Sequence, residues 1–197
     1  MSTQNSGPPP ESSPVVRLDK FDKTIGLDRG RPFWYEAAWY LIKCVFFLSP
    51  VPWPTRLKRW LLVRFGARVG TGLVLRPRVN FHMPWKLTIG DHCWIGEGCE
   101  FLNLEPIALS DHVVVSHRVY LAAGNHDWED HTMPYRNAPI TIERGAWVAS
   151  CAFVGPGVTI GEHSIVGAGS VVTRSVPPWT VVQGNPATVV KRRVLKR

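Results

Sequence analysis

The sequence predicts a mainly β fold in which the chain winds into stacked coils, and three observations carry that prediction. From Val69 to Val172 an aliphatic or aromatic residue returns every six positions: Val69, Leu75 and Phe81, then Ile89, Ile95, Phe101, Ile107, Val113 and Val119, and again Ile142, Val148, Val154, Ile160, Val166 and Val172. Glycine directly follows six of these fifteen positions, at Gly70, Gly90, Gly96, Gly155, Gly161 and Gly167. The period is interrupted twice, and it resumes cleanly after each interruption. Six fits neither the helical repeat of about 3.6 nor the strand repeat of 2, so it signals a repeat architecture. A chain that turns a corner every six residues closes a three-sided coil with three hexads. One coil cannot bury its inward residues alone, so the coils must stack.

Residues 1–16, MSTQNSGPPPESSPVV, are polar and proline-rich, a composition that predicts a disordered tail. Residues 17–68 predict a helical cap region. Within it, 33–48 is the most apolar window, ended by Pro50, Pro52 and Pro54; it is short for a membrane span and carries Glu36 and Lys43. A helix here has two readings. It either covers the open strand edges at the end of the prism, or lies in a membrane interface with Trp34, Trp39 and Trp53 at headgroup level and the downstream arginines facing anionic lipid. Residues 55–66 predict a second short helix, capped by Thr55 and stopped at Gly66.

The coils are expected over 69–177. Phe81 to Ile89 is eight residues, so two extra residues bulge near Pro84-Trp85. Val119 to Ile142 spans twenty-three, one hexad plus seventeen, and the surplus is a loop at 125–141, NHDWEDHTMPYRNAPIT. Long loops thrown from a rigid scaffold are where function concentrates. Over 178–197 the period dissolves. Pro-Pro and Gly-Asn-Pro turns and a basic amphipathic end predict a returning strand and a short terminal helix over the last coil.

A chain of 197 residues is one domain plus appendages. Its formal charge of +8 gathers before the repeats (Arg56, Lys58, Arg59, Arg64, Arg68) and after them (Lys191, Arg192, Arg193, Lys196, Arg197). Such a surface suits nucleic acid, anionic membrane or a phosphorylated small molecule, and no nucleic-acid motif accompanies it. Cys93 and Cys99 fall two residues before an inward position, where small residues such as Ala146, Ala152, Ser164 and Ser170 otherwise sit. They read as small buried thiols, neither metal ligands nor a disulfide framework. Reduced cysteines and no secretory signal predict the cytoplasm.

The stretch ITIERGAWVASCAFVGPGVTIGEHSIVGAGSVV, followed by VPPWTVVQGNPATVVKRR, resembles the hexapeptide-repeat acyltransferases. The resemblance spans roughly residues 69–193 and implies a left-handed parallel β-helix, against the usual crossover hand. FGARVG, the segment around GNHDW, and GAWVAS are most similar to the colanic-acid-type exopolysaccharide O-acetyltransferases. Maltose, galactoside and nodulation-factor acetyltransferases are further relatives.

What the resemblance implies is an O-acetyltransferase that moves acetyl from acetyl-CoA to a sugar hydroxyl in exopolysaccharide or other cell-surface glycan biosynthesis. The position matching the family's catalytic histidine is His126, in Gly124-Asn125-His126-Asp127. Imidazole, with a reference pKa of about 6.5, suits removal of the hydroxyl proton at neutral pH, and no covalent enzyme intermediate is needed. Asp127, Glu129 or a backbone carbonyl would orient the ring; Asp127 is the carboxylate counted with the catalytic residues. Backbone amides between Trp147 and Ser150 are the candidates to face the oxyanion. His131 and Asn103 are expected to contact the acceptor. Trp147, Ala149, Gly167, Ala168, Thr173 and the turn Gly184-Asn185-Pro186-Ala187 are expected to line acetyl-CoA, with Arg192 and Arg193 meeting its phosphates.

The resemblance also implies a homotrimer with coenzyme A in the groove between adjacent prisms, and no metal. The acceptor is expected to be a sugar or lipid-linked saccharide, handled by a protein peripherally associated with the inner face of the membrane. Three rival readings have distinct signatures. An antibiotic- or amino-acid-acetylating enzyme would differ mainly in the loop and N-terminal region. A γ-class carbonic-anhydrase-like enzyme needs three converging ligands for zinc, and no third histidine joins the pairs His112/His117 and His126/His131 at that spacing. A purely structural repeat module would not need the loop.

Overall fold

The inward-facing residues build the fold, and strands only two or three residues long carry them between corners. In the computed structural model, which describes residues 15–196, five coils stack beneath two helices, α1 (Phe33–Phe46) and α2 (Thr55–Arg64). The first coil holds β1 (Arg68–Val69), β2 (Val74–Leu75) and β3 (Asn80–Phe81). The second holds β4 (Leu87–Ile89), β5 (Trp94–Ile95) and β6 (Glu100–Leu102), and the third β7 (Ile107–Leu109), β8 (Val114–Val115) and β9 (Tyr120–Ala122). The fourth holds β10 (Ile140–Ile142), β11 (Trp147–Val148) and β12 (Phe153–Val154); the fifth β13 (Thr159–Ile160), β14 (Ile165–Val166) and β15 (Val171–Val172). Equivalent strands pair in parallel, so the first, second and third strand of every coil form faces one, two and three of a parallel β-helix.

Pairing fixes three inward columns: Val69, Ile89, Leu109, Ile142 and Ile160 on face one; Leu75, Ile95, Val115, Val148 and Val166 on face two; Phe81, Phe101, Leu121, Val154 and Val172 on face three. All are buried in one continuous core, whose removal from water drives the stacking.

The pairing corrects the register expected for the third coil. Its column residues are Leu109, Val115 and Leu121, not Ile107, Val113 and Val119. Phe101 to Leu109 is therefore a second eight-residue step, and Leu121 to Ile142 spans twenty-one residues, one hexad plus fifteen. The misreading has a physical cause. Positions two before each column residue also point inward, and Ile107, Val113 and Val119 are fully buried there. Cys93 and Cys99 occupy the same kind of position, donating to the carbonyls of Ser110 and Ser116 at 3.0 and 2.8 Å. Burial pushes the Cys99 thiol up to about 11. All four cysteines are free.

The first coil has no coil before it, which leaves edge carbonyls on all three faces. The two helices supply a donor for each. Arg59 donates to the carbonyls of Val69 and Gly70 at 2.8 and 2.7 Å, Lys58 to that of Arg76 at 3.2 Å, and the Trp39 indole to that of Phe81 at 2.9 Å. Trp39, Phe47, Leu61 and Leu62 seal the apolar end. Trp39 is thus a core residue, not one at headgroup level, whereas Phe33, Trp34, Tyr40, Leu41 and Val45 of α1 are exposed. Thr55 is not the cap of α2: Pro54 holds that position, and no side chain caps the helix. Gly66, at φ +90°, turns the chain out of α2. No helix among the described residues is long and apolar enough to cross a membrane.

At the other end, β16 (Thr180–Gly184) extends face two parallel to β14, and β17 (Ala187–Arg192) folds back on it antiparallel. This hairpin stands where the terminal helix was expected. Gly184 pairs with Ala187 across Asn185-Pro186, a two-residue turn between runs rich in Val and Thr. Of the tail expected at 1–16, residues 1–14 lie outside the described residues; Val15 and Val16 are exposed.

Candidate active site

The loop leaves the prism at the third corner, between faces three and one, after β9. It departs at Gly124, packed so closely on Leu104 that a Cβ there would lie 2.7 Å from Leu104 Cδ1. Its two limbs then run antiparallel. Arg136 donates its amide to the Asn125 carbonyl at 2.8 Å, Asp127 to that of Pro134 at 2.8 Å, and His126 bridges Tyr135. The tip closes through Asp130, whose carboxylate accepts from the amide and hydroxyl of Thr132 at 2.7 and 2.8 Å.

His126 is partly buried, its Nδ1 2.7 Å from the carbonyl oxygen of Met133. A carbonyl can only accept, so Nδ1 carries a proton, and in the neutral ring the lone pair lies on Nε2. Met133 holds that carbonyl in place from a left-handed backbone conformation, φ +50°, uncommon for a residue with a side chain. The His126 ring lies against Tyr135 (centroids 4.9 Å apart) and Phe21 (5.5 Å). Phe21 arrives from an N-terminal strap laid over the loop. The Arg17 amide donates to the His131 carbonyl at 2.8 Å, and the Asn137 amide group to the Gly26 carbonyl at 3.0 Å. Gly26 passes Tyr135 so closely that a Cβ would sit 2.4 Å from its carbonyl oxygen, and its φ is +77°. Two adjoining clefts share Asn125 and Pro156. One of about 350 Å³ contains His126, Trp128 and Arg136; the other, of about 400 Å³, contains Tyr120, Phe153 and Thr173.

Sequence reasoning singled out His126 and allowed a backbone carbonyl as its orienting partner without locating it at Met133; Phe21 and Tyr135 it did not single out. A backbone acceptor leaves no mark in a sequence, and Phe21 sits in a segment read only as cap. Asp127, expected to help orient the ring, does not: its carboxylate accepts from the Glu129 amide at 3.2 Å and faces Arg136 at 3.8 Å. The His131 side chain is directed to Asp130, 3.5 Å away. Asn103 is corrected outright as an acceptor contact. It is fully buried, and its amide accepts from Met83 N at 2.9 Å and donates to Met83 O at 2.5 Å, bracing the two eight-residue corners against each other.

The expected acetyl-CoA residues divide within one chain. Ala149, Gly167 and Ala168 lie at the second corner, between faces two and three, with the Asn185-Pro186-Ala187 turn beyond β16. Thr173 lies at the third corner, at the opposite end of face three. The amides of Trp147 and Ala149 donate to Ser164 and Val166 at 2.9 Å each, so neither is free to face an oxyanion. Arg193 spends a guanidinium nitrogen on the carbonyls of Gly145 and His163 at 3.0 Å, while Arg192 is exposed at the end of β17. Trp147 stands mid-face in an outward apolar column, Val74, Trp94, Val114, Trp147, Ile165 and Val181, that runs the length of face two. The matching column of face one is Arg68, Thr88, Ala108, Thr141 and Thr159. No group of three His, Cys, Asp or Glu among the described residues converges to hold a metal ion.

Comparison with known proteins agrees with this architecture. Residues 139–174 match the family described as "Bacterial transferase hexapeptide (six repeats)", and residues 86–123 match "Hexapeptide repeat of succinyl-transferase". The chain is 40% identical over 180 residues to the Escherichia coli (strain K12) protein named as a colanic acid biosynthesis acetyltransferase, WcaF, covering 90% of this chain and 97% of that one. A galactoside acetyltransferase solved in complex with coenzyme A superposes with a TM-score of 0.72 at 26% identity, covering 80% of each chain. A hexapeptide-repeat acetyltransferase from Vibrio cholerae, solved with acetyl coenzyme A, superposes with a TM-score of 0.70 at 25% identity, covering 80% of this chain and 85% of that one.

Proposed function

This chain belongs to the hexapeptide-repeat acetyltransferases, and from that premise we propose that it transfers acetyl from acetyl-CoA to a sugar hydroxyl in the synthesis of an exopolysaccharide or other cell-surface glycan. The observation that carries the mechanism is the 2.7 Å contact between His126 Nδ1 and the Met133 carbonyl. It fixes the tautomer whose Nε2 accepts a proton. The acceptor hydroxyl gives its proton to Nε2 as its oxygen attacks the thioester carbon. A C–O bond forms, the tetrahedral intermediate collapses, and the C–S bond breaks. The departing thiolate then recovers the proton from the imidazolium. Aromatic neighbours Phe21 and Tyr135 hold the ring and keep water from its faces.

Direct transfer needs both substrates at His126 together. A homotrimer reconciles this with the divided residues, because the second corner of one copy beside the third corner of the next makes a single groove. The apolar column of face two offers surface for such contact. Relatives named for colanic acid and galactoside acetylation support a sugar acceptor. The exposed aromatic side of α1 supports peripheral association with a membrane, and with it a lipid-linked saccharide.

The test is an acceptor screen that follows free thiol released from acetyl-CoA. His126→Ala is expected to lower the rate by about 10²–10⁴, the usual range for a general base, with assembly and melting temperature unchanged. A fully active His126→Ala protein overturns the mechanism.

A further inference from the structure

A cavity of about 530 Å³ lies between α1 and the third corner of the first coil, walled by Phe33, Ala37, Trp39, Tyr40, Met83 and Trp85. Into this apolar wall reaches Lys43, only 6% exposed. Among the described residues its ammonium makes no hydrogen bond or ion pair, resting only over the Tyr40 ring at 5.3 Å. Burial pushes the ammonium's pKa down, against the smaller opposing pull of Cys44 and Glu100, neither of which reaches it as a hydrogen-bond or ion-pair partner. A buried charge is ordinarily paired, so one facing an open cavity marks a missing partner.

The remaining polar lining does not supply that partner. Arg29 takes Glu36 Oε2 at 2.5 Å, leaving Glu36 Oε1 buried without a hydrogen-bond partner; with that one ion pair counted, Lys43 is the surplus cation of the lining. His82 is held neutral near pH 7, its pKa pushed down by burial and by Lys43 and Arg29. The cavity therefore suits an anionic head on an apolar body. At its mouth Phe33 and Tyr40 are exposed, and the apolar surface continues along α1 through Leu41 and Val45, where a chain can lie. Its place on the prism matters as much. His82 and Met83 turn the third corner of the first coil, and Gly124 and His126 leave the same corner two coils on, about 10 Å along the stack at the spacing of paired strands.

We infer that this cavity holds the phosphate-bearing lipid end of the acceptor, with Lys43 taking the phosphate and the lipid chain lying along the exposed side of α1. The attached sugar then reaches toward His126 along the corner. This rests on the reading of a lipid-linked saccharide as acceptor and names the part of it that the chain recognises.

The test titrates decyl phosphate into the full-length protein without acetyl-CoA, following tryptophan fluorescence and heat, so that the outcome is independent of whether acetyl transfer is ever observed. Saturable binding is expected for decyl phosphate and much weaker binding for inorganic phosphate or decanol alone. Lys43→Met is expected to weaken decyl phosphate by about tenfold or more, the effect of losing one charge-assisted hydrogen bond, while leaving decanol unchanged. The same variant should melt at or above the wild-type temperature, because it removes a buried unpaired charge. Ala37→Trp, which fills the cavity, should abolish binding of both. Equal binding of decyl phosphate to wild type and Lys43→Met overturns the inference, as does binding that survives Ala37→Trp. So does a result in which phosphatidylglycerol vesicles bind all three proteins alike and decyl phosphate binds none, which makes α1 a bilayer contact without a headgroup site.

Discussion

Two corners of the prism turn in the same number of residues in every coil, and the third does not. From face one to face two the step between column residues is always six, as at Val69–Leu75 or Ile160–Val166, and from face two to face three it is again six. At the third corner the steps are eight, eight and twenty-one before returning to six at Val154–Ile160. The difference teaches where the fold tolerates novelty. A corner whose neighbours above and below hydrogen-bond to it in register cannot lengthen alone. Once one coil has bulged outward, the coils stacked on it can bulge as well. His126, the cavity beneath α1 and the N-terminal strap all lie on that one edge.

The contrast is open to attack from both sides. Loss of activity in His126→Ala, with the fold intact, is the largest effect expected and belongs to the third corner. At the second corner the matching experiment is Gly96→Ala. A Cβ there would stand 2.6 Å from the His117 amide nitrogen, so crowding should lower stability by about 1–3 kcal/mol, read as a fall in melting temperature. A variant that melts like the wild type would mean that the regular corners are less constrained than their geometry indicates. Asp127→Asn sharpens the picture of the loop. Where a carboxylate fixes the catalytic tautomer, its amide replacement costs about 10⁴ in rate; here the Met133 carbonyl, not Asp127, meets His126 Nδ1, and the loss should stay within about tenfold. The smallest effect is an absence. In native protein a thiol reagent should label exposed Cys44 and Cys151 and spare buried Cys93 and Cys99, with all four labelled after unfolding.

The period of six made the coils, their stacking and the loop legible, and the family resemblance added that the stacked strands run parallel. What it concealed has physical reasons. Each corner carries two inward residues, and in the third coil both are aliphatic, so Ile107 imitated the column position that Leu109 holds. Asn103 read as an acceptor contact because it interrupts an apolar run, yet the interruption is what two stacked wide corners need between them. The C-terminal hairpin had a readable signal, a Gly-Asn-Pro turn between two β-branched runs, outweighed by the basic charge of the tail. The approach of Phe21 to His126 had none, since contact between a strap and a distant loop follows no local period.

The two ends of the prism are finished by different devices, Lys58, Arg59 and Trp39 at the start and an antiparallel hairpin at the close. Neither device can be repeated, because each meets only one coil. Growth or shortening of this architecture is therefore confined to its middle, where a whole coil can be duplicated or deleted as a unit. The distance from α1 to the His126 loop is thus a quantity that evolution can change only in increments of one coil, about 4.8 Å at a time.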